Sequence, residues 1–247
     1  MSVMARMGWG AVAVLACAAV LYAGDKKDKP KPAAMQMVDS GSFGVFVKGQ
    51  RVVTETFSVQ QGDGNSVVKS QLKEIGSEAS FAQKSDLQMT GAAELVRYDW
   101  NDKSGSLVVL PNNDFLLEKI TTSGSSKPAE QSFLMPSTAV ILDNNFFVHR
   151  QVLAWRYLAA NCPSGTPKCQ QGALDFAVLV PQARTSMSVR MELVGPEKVT
   201  IRGTERLLWR LDLKGESFTW ALWVDPNDHF KLIRVLIPDD NTEVVRD

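Results

Sequence analysis

The strongest constraint on this chain lies between residues 206 and 237. Leu207, Trp209, Leu211 and Leu213 share one parity, while Arg206, Arg210 and Asp212 take the other. Lys214-Gly215-Glu216 turns the chain, and Phe218, Trp220, Leu222 and Val224 alternate again. Asp225-Pro226-Asn227-Asp228 carries proline where a type I turn wants it, and His229 to Ile237 returns as an apolar strand. Side chains alternate with period two along a strand, and a helix cannot sort these residues onto one face. The segment predicts a three-stranded antiparallel meander.

The same rule works upstream. Between Gly41 and Val47, Phe43, Val45 and Val47 share a parity, and Lys48-Gly49-Gln50 turns. From Arg51 to Gln60, Thr54, Thr56 and Ser58 take one face and Val53, Phe57 and Val59 the other. Gly62-Asp63-Gly64-Asn65 reads as a hairpin turn, and Leu95–Trp100 and Ser106–Leu110 read as another hairpin. One stretch, Asp143 to Asn161, lacks alternation. Val148, Val152, Trp155 and Ala159 fall at helical spacing there, with Asp143 as the expected cap and Cys162-Pro163 as the stop. The expected fold is therefore mainly β (α+β). It is a large curved antiparallel sheet or half-barrel, of roughly a dozen strands, with one main helix plugging or covering its concave side.

The N-terminus predicts export. Arg6 precedes an apolar run from Met7 to Leu21, which is short for a membrane-spanning helix. Residues 1–23 read as a signal peptide cut after Ala23. Val14-Leu15-Ala16-Cys17 also resembles a bacterial lipoprotein box, with Cys17 as the lipidation site, and an uncleaved anchor is a third reading. All three place the body outside the cytoplasm, in the periplasm or on the outer membrane. Residues 24–38 read as a flexible linker, and 39–247 as a single curved antiparallel β domain with a helix near 143–161. The four linker lysines suit a peripheral contact with anionic headgroups, or simply a soluble spacer. Cys162 and Cys169 bracket a run of turn residues, and in an exported chain they read as a disulfide. A metal pair would need two further ligands, and no histidine is near in sequence.

Lys+Arg and Asp+Glu each number 27, so the net charge is zero and no basic face for nucleic acid is expected. His149 and His229 are the two histidines, one read as a helix-surface residue and one as a turn residue. No H-E-x-x-H, G-x-S-x-G, P-loop or G-x-G-x-x-G motif occurs, so no catalytic residue, metal or cofactor is expected. Glu55 stands out, because strict alternation puts it on the apolar face with Val53, Phe57 and Val59. An inward carboxylate is costly unless paired. It has three readings: a ligand contact, a partner for an arginine such as Arg97 or Arg210, or an edge-strand gatekeeper. Trp155, Trp209, Trp220 and Trp223 are the other candidate ligand-binding residues. Trp220 and Trp223 have opposite parity, and an exposed Trp223 would mark a binding surface.

Gly41-Ser42-Phe43, Gly49-Gln50-Arg51-Val52 and Thr54-Glu55-Thr56-Phe57 resemble the first hairpin of uncharacterised exported bacterial proteins. Leu222-Trp223-Val224-Asp225 is similar to the closing hairpin of that group. Those proteins are similar in outline to the half-barrel carriers that shuttle lipoproteins across the periplasm. The resemblance implies a hydrophobic concave face and brings no catalytic residue with it. The expected function is a non-catalytic cell-envelope protein that binds a hydrophobic small molecule, lipid or acyl chain. The alternative is an envelope scaffold that binds a partner protein through an edge strand or apolar patch. A hydrolase with an unrecognised site is the third reading.

Overall fold

The computed structural model describes residues 34–76, 82–125, 127–162, 169 and 172–247. The expectations for the signal peptide, for Cys17 and for linker residues 24–33 lie outside the described residues. The first eight strands are β1 (Gln36–Val47), β2 (Gln50–Gly62), β3 (Asn65–Glu74), β4 (Gln83–Thr90), β5 (Leu95–Asp102), β6 (Gly105–Asn112), β7 (Phe115–Thr122) and β8 (Ala129–Phe133). β9 (Val140–Ile141), the helix α1 (Val148–Asn161) and β10 (Leu174–Val180) follow. β11 (Thr185–Ile201), β12 (Thr204–Lys214), β13 (Thr219–Asp225), β14 (Lys231–Ile237) and β15 (Thr242–Arg246) complete the sheet. Its order is β8-β7-β6-β5-β4-β3-β2-β1-β15-β14-β13-β12-β11-β10-β9.

Every expected hairpin is present, with three differences. β1 starts at Gln36 because Gln36 and Met37 pair with Gln61 and Gln60 of β2, so the linker ends before residue 38. α1 starts at Val148 rather than Asp143, and its cap position, Phe147, makes no side-chain capping bond. The sheet is not wholly antiparallel, because β9 and β10 run parallel and α1 forms the crossover between them.

Topology forces the sheet to curl. β8 and β9 stand at opposite ends of the strand order, yet only residues 134–139 separate them in sequence. Laid flat, fourteen inter-strand steps of ~4.8 Å would put those edges roughly 67 Å apart. The seven Cα steps from Phe133 to Val140 reach at most about 25 Å. Register shifts supply the bending, with an extra residue at Val38 in β1, Val52 in β2, Val96 in β5, Val194 in β11 and Ile233 in β14. α1 lies in the resulting trough. Its His149 packs edge-on against Tyr98 of β5, with ring centroids 5.7 Å apart. Its Tyr157 accepts a 2.8 Å hydrogen bond from the Leu193 N–H of β11.

The concave core joins residues from nearly every strand to the helix, including Phe43, Phe57, Val68, Tyr98, Leu153, Leu211 and Val235. Phe43 and Phe57 stack at 4.9 Å across β1 and β2. A second, smaller core forms on the convex face. The ends of β11 and β12 extend past their pairing with β13, and their tip bends over the outside of the sheet. Val199, Ile201 and Leu208 then bury Ala221, Trp223, Ile233 and Val245, and Arg202 at the tip ion-pairs with Asp247. This bend separates Leu207 from the alternation it was read with: Leu208 is fully buried and Leu207 is 58% exposed.

Cys162 and Cys169 form a disulfide just beyond α1, and the Cys162 N–H closes the helix on the Leu158 carbonyl at 2.7 Å. Removing it releases an eight-residue loop in the unfolded chain. The double change Cys162→Ser and Cys169→Ser should lower unfolding free energy by about 2–3 kcal/mol in urea titration, with near-unchanged far-UV circular dichroism.

Candidate functional site

Glu55 points inward, as its parity predicts, and is fully buried. Its Oε2 accepts from the Phe147 N–H at 2.6 Å, and Oε1 accepts from the Val148 N–H at 3.2 Å and the Ser70 hydroxyl at 2.7 Å. A carboxylate from β2 thus receives the free amides at the start of α1, the role that Asp143 was expected to play. The helix dipole adds to the attraction. Neither arginine named for it pairs with it: Arg97 pairs with Asp99, and Arg210 with Asp212. Burial pushes Glu55 up to about 7, against the pull of Ser70, the two amides and Arg150.

Asp143 sits just ahead of the helix and is also buried. It accepts from the Tyr98 hydroxyl, the Gln182 side-chain amide and, at 2.8 Å, the Asn145 N–H. Arg150 is fully buried and donates to the backbone carbonyls of Asp143 and Phe146. Its guanidinium lies 5.0 Å from the ring centres of both Phe147 and Trp220. His149 is fully buried rather than on the helix surface. Its Nδ1 accepts from the Asp143 N–H at 3.3 Å, and burial beside Arg150 pushes it down to about 3, so it is neutral. Glu118 of β7 is buried, has no hydrogen-bond donor among the described residues, and lies 3.7 Å from Arg184. Burial pushes Glu118 up to about 7.

The first turn of the helix is also tied to β1 and to the start of β14. Gln151 donates to Asp39 at 2.7 Å and accepts from the Leu232 N–H at 2.9 Å. Arg246 of β15 binds Asp39 through both terminal nitrogens, at 2.6 and 3.1 Å. Leu232 and Leu193 each lie beside a bulge in the ladder, and α1 supplies the acceptor for both amides.

The four tryptophans divide between the faces. Trp155 of α1 donates to the Phe230 carbonyl at 2.9 Å, and Trp209 packs on the Phe230 ring at 5.4 Å. Trp220 packs on Phe218 at 4.8 Å, and all three tryptophans border the concave core. Trp223 is on the convex side, 4% exposed beneath the β11–β12 tip, and bonds Glu197 at 3.1 Å. It offers no open binding surface.

α1 and its polar contacts fill most of the trough. An opening lies beside its C-terminal half, a crevice of about 170 Å³. Val59, Val68, Met89, Val152, Trp155 and Ala159 form its apolar wall, and Gln61, Ser66 and Thr90 lie at its rim. A narrow apolar extension of about 20 Å³ runs inward past Met89 and Val152 toward Leu87, Leu95, Ile141 and Leu153. Arg156 borders both spaces. Of the residues picked out in the sequence, only Trp155 lines this crevice. A larger depression, about 450 Å³, lies on the convex face and is lined largely by polar groups such as Thr56, Lys69, Asp86 and Asp99. Among the described residues no group of three or more His, Cys, Asp or Glu is arranged to hold a metal.

The buried acids make stability depend on pH. Glu55 and Glu118 hold protons in the folded state from pH 4.5 to about 7 that the unfolded chain has released, so stability falls as pH rises through that window. His149 acts oppositely, because the unfolded chain takes up its proton below pH 6.5 and the folded protein does not until about 3. Stability should peak near pH 5, measured by urea denaturation between pH 4 and 8. The Glu55 part, on the order of 3 kcal/mol, should largely vanish in Glu55→Gln. Glu55→Leu leaves two buried helix amides without acceptors and should cost about 3 kcal/mol or more at pH 5.

No protein-family model, curated protein or solved structure matches this chain.

Proposed function

We propose that this is a non-catalytic protein of the bacterial cell envelope that holds the end of an apolar chain between α1 and strands β2–β5. The observation that carries the reading is the crevice. Aliphatic and aromatic side chains of the concave side line open space there rather than touch one another. Its volume is below the ~300 Å³ of an ordinary small-molecule site. It therefore suits one acyl chain end better than a whole lipid. Affinity comes from apolar burial at ~25 cal/mol per Å², and the polar rim keeps the rest of the ligand outside. The half-barrel curvature and the resemblance of the first and closing hairpins to exported carriers point the same way.

Ala159 is exposed on the helix and borders the crevice, so a large residue there narrows the mouth without disturbing the core. Wild-type protein should bind the neutral fluorophore N-phenyl-1-naphthylamine. Ala159→Trp should bind it at least tenfold more weakly at an unchanged melting temperature. Equal affinity in the two proteins would place the ligand elsewhere.

A second reading rests on a different observation. The outer edge of β8 is unpaired, and Leu134 beside it is 78% exposed. A groove of about 340 Å³ runs from Leu134 and Met135 to Phe176 and Met187. This edge suits strand addition by a partner envelope protein.

A further inference from the structure

The crevice carries a charge that an apolar chain alone does not explain. Arg156 follows Trp155 on α1 and borders both the mouth and the inner extension. Its guanidinium is half-buried, lies 5.9 Å from the Phe176 ring centre and makes one long contact, 3.5 Å, to the Ala93 carbonyl. Among the described residues it forms no salt bridge; Glu94 is the acid whose charge acts on it. Burying part of a cation without an ion pair is unfavourable, and the other arginines of the concave side are better satisfied. Arg246 has Asp39 at 2.6 Å, and Arg150 has two carbonyls and two aromatic faces.

Resting on the reading of the crevice as an acyl-chain site, we infer that its ligand carries a carboxylate head, so that the protein binds a long-chain fatty acid. The head pairs with the Arg156 fork at the border of the apolar space, the methylenes next to it lie along Val59, Val68, Met89 and Val152, and the remainder of the chain stays outside the crevice. Planar guanidinium and carboxylate groups match as two parallel hydrogen bonds, a geometry that a neutral alcohol head cannot use. Glu94 opposes the incoming charge and sets an upper limit on affinity.

The test compares dodecanoate with dodecanol by displacement of N-phenyl-1-naphthylamine, in wild type, Arg156→Met, Arg156→Lys and Glu94→Gln, with melting temperatures confirming folding. Wild type should bind dodecanoate at least tenfold more tightly than dodecanol. Arg156→Met should erase that preference and leave dodecanol binding intact. Arg156→Lys should retain part of the preference, and Glu94→Gln should increase it. Equal binding of acid and alcohol by wild type, or a preference that survives Arg156→Met, overturns the carboxylate assignment and leaves the acyl-chain site standing. Failure of both ligands to displace the fluorophore removes the acyl-chain site as well.

Discussion

The contact between Glu55 and the first amides of α1 governs the concave side. A helix laid in a curled sheet has free N–H groups at its start and no water there to receive them. A carboxylate from the second strand meets that need and fixes the height of α1 in the trough. The other polar contacts follow the same logic with the roles reversed. Bulges bend the ladder and leave strand amides without partners at Leu193 and Leu232, and Tyr157 and Gln151 of the helix receive them. Strand serves helix at one end, and helix serves strand along the rest.

This arrangement explains why so little of the trough is empty and why the opening is where it is. The N-terminal half of α1 carries His149, Arg150 and Gln151 and is pinned on several sides. Farther along, Val152, Trp155 and Ala159 face Val59, Val68 and Met89, and the hydrogen bond found across that boundary among the described residues is the long one from Arg156 to the Ala93 carbonyl. Short aliphatic side chains facing one another leave a gap there, tied by one long polar contact where the first turn has several. A site for an apolar guest belongs at such a boundary rather than in the bonded half.

The sequence showed the fold well wherever alternation was strong. Phe43, Val45, Phe57 and Val59 face the core as their parity predicts, and so does Glu55. It showed less where the cause was distant. Asp143 has the right residue type and position for a cap, but Glu55, 92 residues earlier than Phe147, takes the role, and no local pattern reports that. β9 has two residues, too few to show a period, so the parallel pair and the crossover it creates were invisible. His149 was misread as a helix-surface residue, and alternation left open whether Trp223 is covered, for related reasons. One is sealed in by strands that pack around the helix, and the other by a hairpin tip that bends back from β11 and β12. The crevice depends on where side chains fail to meet, and no single segment encodes that. Arg156 was legible as a residue and not as a border.

The pairing of β15 with β1 joins residues 43–47 to residues 242–246. Among the described residues no other ladder links the wall made of β2 to β8 with the wall made of β9 to β14. Apart from the β9–β10 crossover each wall is a run of hairpins, but the two cannot become one sheet until segments nearly two hundred residues apart have met. Loop closure over that distance is slow relative to hairpin formation. Until that pair is made, no continuous sheet encloses the greasy lining around the helix, so the five residues of β15 carry the closure of the whole trough.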